Sequence, residues 1–480
     1  MASKSAIRIG NDQVQIDPQL LFQRLILVSS SEDLESLFRY ELCSYPTALF
    51  DSSLMLRKPQ KPVLADAMWS MLSEASKIEP SGVTKYVLDG GALLHRLSWP
   101  HGTTFKEVYE IYSGYVLQKY GRATTIVFDG YDVVSTKSMT QERRTAGKVG
   151  ATVSFTDDMK IPMKKDIFLA NKKNKQAFVI QLASFLQKQG FETLNADGDA
   201  DVLIVKTAVE SANTEDTILV GDDTDLLILL AHYVRMDAHR LYMRPEPKAS
   251  SKKRRVWYIN EIKKDLGEDV CRHLFFIHAL LGCDTTSSIY GIGKGASLKK
   301  FVNSEHFRQQ ALVFDNLAST VDEVKTAGEN ALVCLYGGKP GQTLDQLRYQ
   351  RYLEKLACKS KSIRPQSLPP TSSAVKYHSL RVYLQIREWK DSTEGINYAE
   401  WGWRLAAEQL TPIMTDLAPA PQSLLQIMRC NCSQDCSTRR CSCRKNDLPC
   451  NPACGQCKGS ACTNAPEQIP DDEDSDSDSG

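Results

Sequence analysis

Residues 196–230 read ADGDADVLIVKTAVESANTEDTILVGDDTDLLILL, and the fold class turns on them. Two acidic groups, Asp197/Asp199/Asp201 and Asp222/Asp223/Asp225, bracket a run that reads as helix and then strand. The second group sits where the apolar run ILV gives way to LLILL. Carboxylates at the carboxyl end of a buried parallel strand face the crevice in which open α/β sheets bind ligands. Hard oxygen donors gathered there suit Mg²⁺ or Mn²⁺. Aspartate is also common in turns and as a helix N-cap, so either group alone supports both readings.

Working outward, the same pattern recurs upstream. The strand in TKYVLDGGALLHRL ends at Asp89, and the strand in ATTIVFDGYD ends at Asp129. Each is followed by a glycine-containing turn. Helical stretches, VYEIYSGYVLQKYG and NKKNKQAFVIQLASFLQKQG, separate these strands. Strands alternating with helices predict an α/β fold with a mainly parallel sheet, its carboxylates at one edge. Between Asp129 and the second helix, YDVVSTKSMTQERRTAGK carries Lys137, Arg143 and Arg144. They read as a solvated basic face or, beside an acidic metal site, as phosphate contacts.

Downstream, RLYMRPEPKASSKKRRVWYI reads as a β-hairpin with a polar tip. Its Lys252, Lys253, Arg254 and Arg255 fit either a charged loop or a nuclear localisation signal. NEIKKDLGEDVCRHLFFIHALLGCD reads as one helix ending near Asp284. GIGKGASLKK then places Gly291, Gly293 and Lys294 before another helix, with Lys299 and Lys300 beyond. A glycine-rich loop before a helix offers backbone N–H groups to phosphate.

Composition sets the bounds. The 480 residues call for two or three domains. With 42% hydrophobic and 24% charged residues, the chain has the balance of a globular protein. A net charge of +1 gives no global pull toward nucleic acid, so any such pull is local. No apolar run is long enough for a transmembrane helix, and MASKSAIRIGND lacks a signal-peptide core. An intracellular protein without membrane association is therefore expected.

Asp89, Asp129, the Asp199-Ala-Asp201 pair, Asp223-Thr-Asp225 and Asp284 within GCDTTSSIYGIGKG come in an order that resembles the flap endonuclease superfamily. The resemblance spans roughly residues 81–310. It implies a PIN-like fold with a helix–hairpin–helix element, and structure-specific cleavage of DNA. It also implies two divalent ions held by Asp89, Asp129, Asp199, Asp201, Asp223, Asp225 and Asp284. By the same match, Lys137 and Arg143 or Arg144 steady the scissile phosphate, and Gly291 to Lys294 grip the duplex backbone. Two departures stand out. That family usually carries Glu-Ala-Glu where this chain has Asp199-Ala-Asp201, and this chain begins with 80 residues the family lacks. The segments LESLFRYEL, SYPTALFD and LPPTSSAVKYHSLRVYLQ also resemble transposon-associated proteins of animal genomes.

Nine of the fourteen cysteines fall in RCNCSQDCSTRRCSCRKNDLPCNPACGQCKGSACTN. An intracellular chain with clustered cysteines points to metal rather than disulfides. The ligand candidates are Cys430, Cys432, Cys436, Cys441, Cys443, Cys450, Cys454, Cys457 and Cys462. Three tetrahedral Zn²⁺ ions need twelve ligand positions, which nine thiolates fill if three sulfurs bridge. Apolar residues are too few here to build a core, so metal must supply the folding energy. The spacing resembles the tesmin/TSO1-like CXC domain, which implies a small zinc module that binds DNA in several members. Arg439, Arg440, Arg444 and Lys445 give the module a basic surface suited to phosphate. A protein-interaction knuckle is the other reading.

The expected organisation is a helical extension (1–80), the PIN-like domain (81–330), a helical connecting subdomain (331–428), the CXC zinc domain (429–464) and a disordered acidic tail (465–480). In the connecting subdomain Trp389, Trp401 and Trp403 with Tyr377 and Tyr383 read as core residues or as base-stacking platforms. The expected function is a structure-specific, metal-dependent nuclease with a zinc DNA-binding module, acting on branched or flapped DNA, or on RNA, in the nucleus. The alternative is a non-catalytic DNA- or chromatin-binding protein that keeps the nuclease fold as scaffold.

Overall fold

A computed structural model describes residues 6–9, 12–29, 34–82, 84–130, 136–137, 140, 143, 149–246, 255–358, 362–406, 409–432, 435–460 and 462–466. Arg144, Lys252, Lys253, Arg254 and most of the acidic tail lie outside the described residues. The chain forms two compact units. One is made of Met1–Met55, Gln342–Ala374 and Met414–Gly480, the other of Leu56–Gly341 and Val375–Ile413.

The first unit opens with an antiparallel hairpin, β1 (Ala6–Ile9) and β2 (Asp12–Gln15). The extension is therefore not wholly helical: Ile7, Ile9 and Val14 alternate inward, which is the period of a half-buried strand. The helix Pro18–Val28 follows, with Pro18 at its first position and Asp17 accepting from the backbone of Gln19 and Leu20. Its Leu21, Phe22 and Leu25 share a core with Phe38, Tyr352, Leu368, Leu425 and Met428. Inside this core Arg348 faces Glu41, and Glu41 accepts from the Thr371 backbone and hydroxyl at 3.0 and 2.8 Å.

The second unit is built on a six-stranded sheet. Its strands are β3 (Lys85–Asp89), β4 (Thr124–Phe128), β5 (Glu192–Asn195), β6 (Thr217–Val220), β7 (Leu241–Arg244) and β8 (Trp257–Tyr258), in spatial order β5-β4-β3-β6-β7-β8. All neighbours are parallel except β7 and β8, the hairpin the sequence indicated. The chain starts at β3 in the middle, builds outward through β4 and β5, then returns to β6 on the other side. The order reverses between β3 and β6. Such a switch point opens a crevice at the carboxyl ends of the strands.

Helices cover the sheet. Phe105–Tyr120 begins with a reciprocal Thr104/Glu107 capping box and stops at Gly121. It packs with Lys172–Lys188 through Tyr109 and Phe178, and Phe105 meets Phe168 of the short helix Lys165–Ala170. The stretch read as one helix from Asn260 is three: Ile259–Leu266, Glu268–Arg272 and Leu274–Leu280. Gly267, at φ +83°, breaks the first. The helix Ser372–Trp389 is followed by a two-stranded hairpin, β9 (Trp403–Ala406) and β10 (Gln409–Pro412). Trp389 and Trp403 are buried, and Trp401 stacks on Tyr383 at 4.7 Å. Trp389, Trp403 and Tyr383 are core, while Trp401 and Tyr377 are half-buried.

Candidate metal centres

The carboxylates come from strand ends and helix starts at the switch point, except Asp284, which lies in the bend after the helix Leu274–Leu280. Asp89 closes β3 and caps the helix Gly90–Arg96, accepting from the Ala92 backbone at 3.0 Å. Asp129 follows β4 and accepts from the Ala200 backbone at 3.0 Å, which ties it to the start of the helix Asp201–Ser211. Gly130 lets the two chains touch: its N–H donates to Gly198 at 2.7 Å, and a Cβ there would lie 2.3 Å from the Asp197 carbonyl oxygen. Asp223 caps the helix Thr224–Tyr233 and accepts from the Asp225 backbone at 3.1 Å. The capping and ligand readings of these aspartates are thus compatible. A side chain that caps a helix N-terminus is also aimed into the crevice.

The seven candidates form one connected group. Oxygens of Asp89 and Asp129 both lie 3.2 Å from the point a Cβ on Gly91 would occupy. Asp223, Asp225 and Asp284 each present an oxygen within 4.8 Å of the other two. Burial, with the charges of Asp129, Asp201 and Asp223, pushes the Asp89 carboxyl up to about 7. Desolvation and Asp225 push Asp223 up to about 6, and desolvation with Asp201 raises Asp199. Converging oxygen donors that destabilise one another's charge are the donor set a hard divalent cation relieves. Asp197 is exposed and stands apart from the ion pairs of the cluster.

Two lysines enter the group. Lys137, expected from the sequence, is buried and pairs with Asp199 at 2.6 Å and Asp201 at 2.7 Å. Lys61 was not expected, because nothing marks KPVLADAMW except helical spacing. It pairs with Asp225 at 3.0 Å, Asp284 at 3.1 Å and Asp223 at 3.3 Å. Burial opposes charge on Asp225, but Lys61 and His278 together hold its carboxyl well below the usual range. Arg143 donates to the Leu56 carbonyl at 3.0 Å.

His278 is the other residue the sequence concealed, since FFIHALL reads as core. Its Nε2 lies 2.8 Å from Asp225, and its Nδ1 lies 3.2 Å from the Lys294 amine. An ammonium only donates, so Nδ1 accepts and Nε2–H donates to Asp225. Trp389 stacks on the ring at 5.6 Å. Lys294 also donates to the Gly282 carbonyl. This placement corrects the expectation for Lys294: the side chain is 4% exposed and is used inside the fold, so it does not reach a duplex backbone. Gly291 and Gly293 are exposed, and the helix Lys294–Asn303 starts directly behind them.

In the first unit the cysteine sulfurs form a second centre. Neighbouring Sγ atoms lie 3.8 Å apart for Cys430–Cys436, Cys430–Cys450 and Cys441–Cys450, 3.9 Å for Cys430–Cys457 and 3.6 Å for Cys443–Cys454. A disulfide needs about 2.05 Å. A tetrahedron with Zn–S bonds near 2.3 Å sets its sulfurs roughly 3.8 Å apart. Four overlapping groups of four include every one of the nine cysteines, with Cys430 and Cys450 shared among several. Among the described residues the module's buried apolar side chains are Leu448 and Ala453 alone, so the sulfurs themselves are the core. Arg24 of the Pro18–Val28 helix donates to Cys443 Sγ at 3.4 Å and to the Pro449 carbonyl at 2.7 Å. Arg444 is turned inward onto the Cys436 and Thr463 carbonyls at 2.7 and 3.1 Å, while Arg439, Arg440 and Lys445 are exposed.

Fold and site together define an α/β protein with a carboxylate centre at the switch point of a mainly parallel sheet and a cysteine-rich module able to hold metal. Among the described residues no helix is long and apolar enough to cross a membrane. No protein-family model matches the chain, and no curated protein matches it. Solved structures do. The catalytic core of Rad2 in complex with DNA substrate shares 14% identity, covers 74% of this chain and 89% of its own, and gives a TM-score of 0.34. The bacteriophage T5 flap endonuclease, solved with DNA and metal ions, shares 12% identity over 65% of this chain and 99% of its own, at a TM-score of 0.31. The T5 5'-exonuclease with bound zinc shares 14% over 65% and 100%, at 0.30. Superpositions of that quality leave the assignment to this chain's own strands and side chains.

Proposed function

We propose that the α/β unit is a metal-dependent nuclease of the flap endonuclease kind, with a PIN-like fold, that hydrolyses phosphodiesters in branched or flapped DNA. We propose with it that the cysteine module is a CXC-type domain, held by three Zn²⁺ ions, that contacts the same nucleic acid. The observation that carries the first reading is the close approach of Asp223, Asp225 and Asp284, each with an oxygen within 4.8 Å of the other two, beside Asp89 and Asp129, whose oxygens flank Gly91. Mg²⁺ or Mn²⁺ bound there would supply activated water and charge stabilisation for the leaving oxygen.

The chain's own residues do the rest. Asp89 and Asp223 are held by the backbone N–H groups they cap, and Asp225 is oriented by His278. Lys137 sits beside Asp199 and Asp201, positioned to meet phosphate charge at the crevice. The exposed Gly291 and Gly293 offer backbone at a helix N-terminus to a duplex phosphate. Arg439, Arg440 and Lys445 supply the cationic face of the cysteine module. A nuclear site of action fits these substrates and is read from the distribution of a fluorescent fusion.

The test uses purified full-length protein with flap, single-stranded and duplex DNA and the matching RNA, in Mg²⁺ or Mn²⁺. Cleavage of a branched DNA that Asp223→Ala with Asp225→Ala abolishes supports the reading. Equal behaviour of the two proteins on every substrate removes it. Preference for RNA keeps the chemistry and corrects the substrate.

A further inference from the structure

Lys61 is fastened in place. Pro62 follows it at the start of the helix Lys61–Met71. The preceding segment is tied to the loop that carries Asp284: Ser288 donates its backbone N–H to the Arg57 carbonyl at 3.0 Å and its hydroxyl to the Lys58 carbonyl at 3.0 Å, and Arg57 lies over the Tyr290 ring at 5.0 Å. Arg143 holds the Leu56 carbonyl. The Lys61 ammonium thus arrives on a short, anchored strap. It touches the same three carboxylates that form the tightest acidic group of the domain.

A divalent ion bound there would need those oxygens at about 2.0–2.1 Å for Mg²⁺. The ammonium occupies the space they enclose, with nitrogen–oxygen distances of 3.0–3.3 Å. Ammonium and ion cannot share it. We infer that Lys61 is a built-in counter-cation for the Asp223/Asp225/Asp284 half of the site, so that a divalent ion enters this half only by displacing it. The inference rests on the metal-site reading of the carboxylates. Lys61 then sets the metal concentration at which an ion enters this half of the site.

The experiment counts Mn²⁺ bound by zinc-replete full-length protein, by calorimetry and by electron paramagnetic resonance, with the Asp223→Ala/Asp225→Ala protein as the control. Wild type should bind in two steps, with a weak second step. Lys61→Ala should tighten the second step by about tenfold or more, since a competing charge has gone, and Lys61→Arg should leave it weak. Thermal unfolding checks the fold independently. Without divalent ion Lys61→Ala should melt below wild type, and Mn²⁺ should raise its melting temperature more than that of wild type. Two Mn²⁺ steps of equal strength in wild type and Lys61→Ala overturn the role of Lys61 and leave the metal site standing. No Mn²⁺ above the control in either protein overturns both.

Discussion

Two regions of this molecule crowd candidate metal ligands together, and they are supported in opposite ways. The carboxylate centre stands on a sheet and helices with their own apolar core, and two lysines already offset its charge. The cysteine module has almost no apolar side chains of its own, and its sulfurs fill the space a core would occupy. Metal would add chemistry to the first and structure to the second. A scaffold that folds without its ion can tolerate a strained site, whereas a module whose ion is its core cannot lose it and stay folded.

The sharpest way to break this contrast is to remove zinc. Structural zinc sites contribute about 10–16 kcal/mol of apparent binding free energy. Chelation, or Cys450→Ser at a sulfur common to several of the groups, should make the segment from Cys430 to Asn464 open to protease while the α/β unit stays resistant. Resistance of both, with zinc absent by elemental analysis, would collapse the distinction. Next in size is Asp225→Asn, which keeps the shape and removes the charge. Cleavage should fall by about 10²–10³, with zinc content unchanged and a melting temperature lower than wild type but still cooperative, since Lys61 and His278 lose a buried charged partner. Loss of cooperative unfolding instead would make Asp225 structural.

A third prediction probes the scaffold alone. Burial, then the charge of Arg381, pushes the His378 imidazole down to about 3, and its Nε2 lies 2.9 Å from the Leu280 carbonyl. The folded state therefore holds the ring neutral, whereas the unfolded chain charges it below about 6.5. The stabilising effect is full above pH 6.5 and is lost as pH falls toward the folded value. At pH 5 the loss is on the order of 2 kcal/mol. His378→Leu should make the fall in melting temperature between pH 6.5 and 5 shallower, with His232 and His278, also held down to about 4 by burial, carrying part of the remainder, and an unchanged slope would assign the acid sensitivity elsewhere. The smallest effect belongs to the cationic face. Arg439→Ala and Arg440→Ala should each reduce the salt slope of DNA binding by about 1. Unchanged slopes would place the nucleic-acid contact outside the cysteine module.

What the sequence showed and concealed follows from the range of each interaction. Strands β3, β4 and β6 were legible because apolar runs ending in aspartate repeat at βα spacing, and of the aspartates singled out, Asp223, Asp225 and Asp284 lie within 4.8 Å of one another. The cysteine cluster was legible because candidate metal ligands of this kind lie close together along the chain. Lys61 was hidden, since its partners lie more than 160 residues away along the chain. His278 was hidden for the same reason, since nothing in an apolar helix marks a histidine until Asp225 is beside it, and Lys294, expected at the duplex backbone, is instead turned onto the Gly282 carbonyl. The hairpin of β1 and β2 was within reach. IRIGNDQVQI alternates about a turn signal, and the helical stretches around it drew attention away.

The interleaving of the two units along the chain has a consequence for synthesis. Ribosomes add roughly 5–20 residues per second. The hairpin, the Pro18–Val28 helix and Arg24 emerge early, but their partners from Gln342 onward, and the cysteines with them, come only after the whole stretch Leu56–Gly341. For tens of seconds on that scale, Leu21, Phe22 and Leu25 lack the part of their core that Tyr352, Leu368, Leu425 and Met428 supply. Completion of that core therefore waits on the same late segment that brings the cysteines.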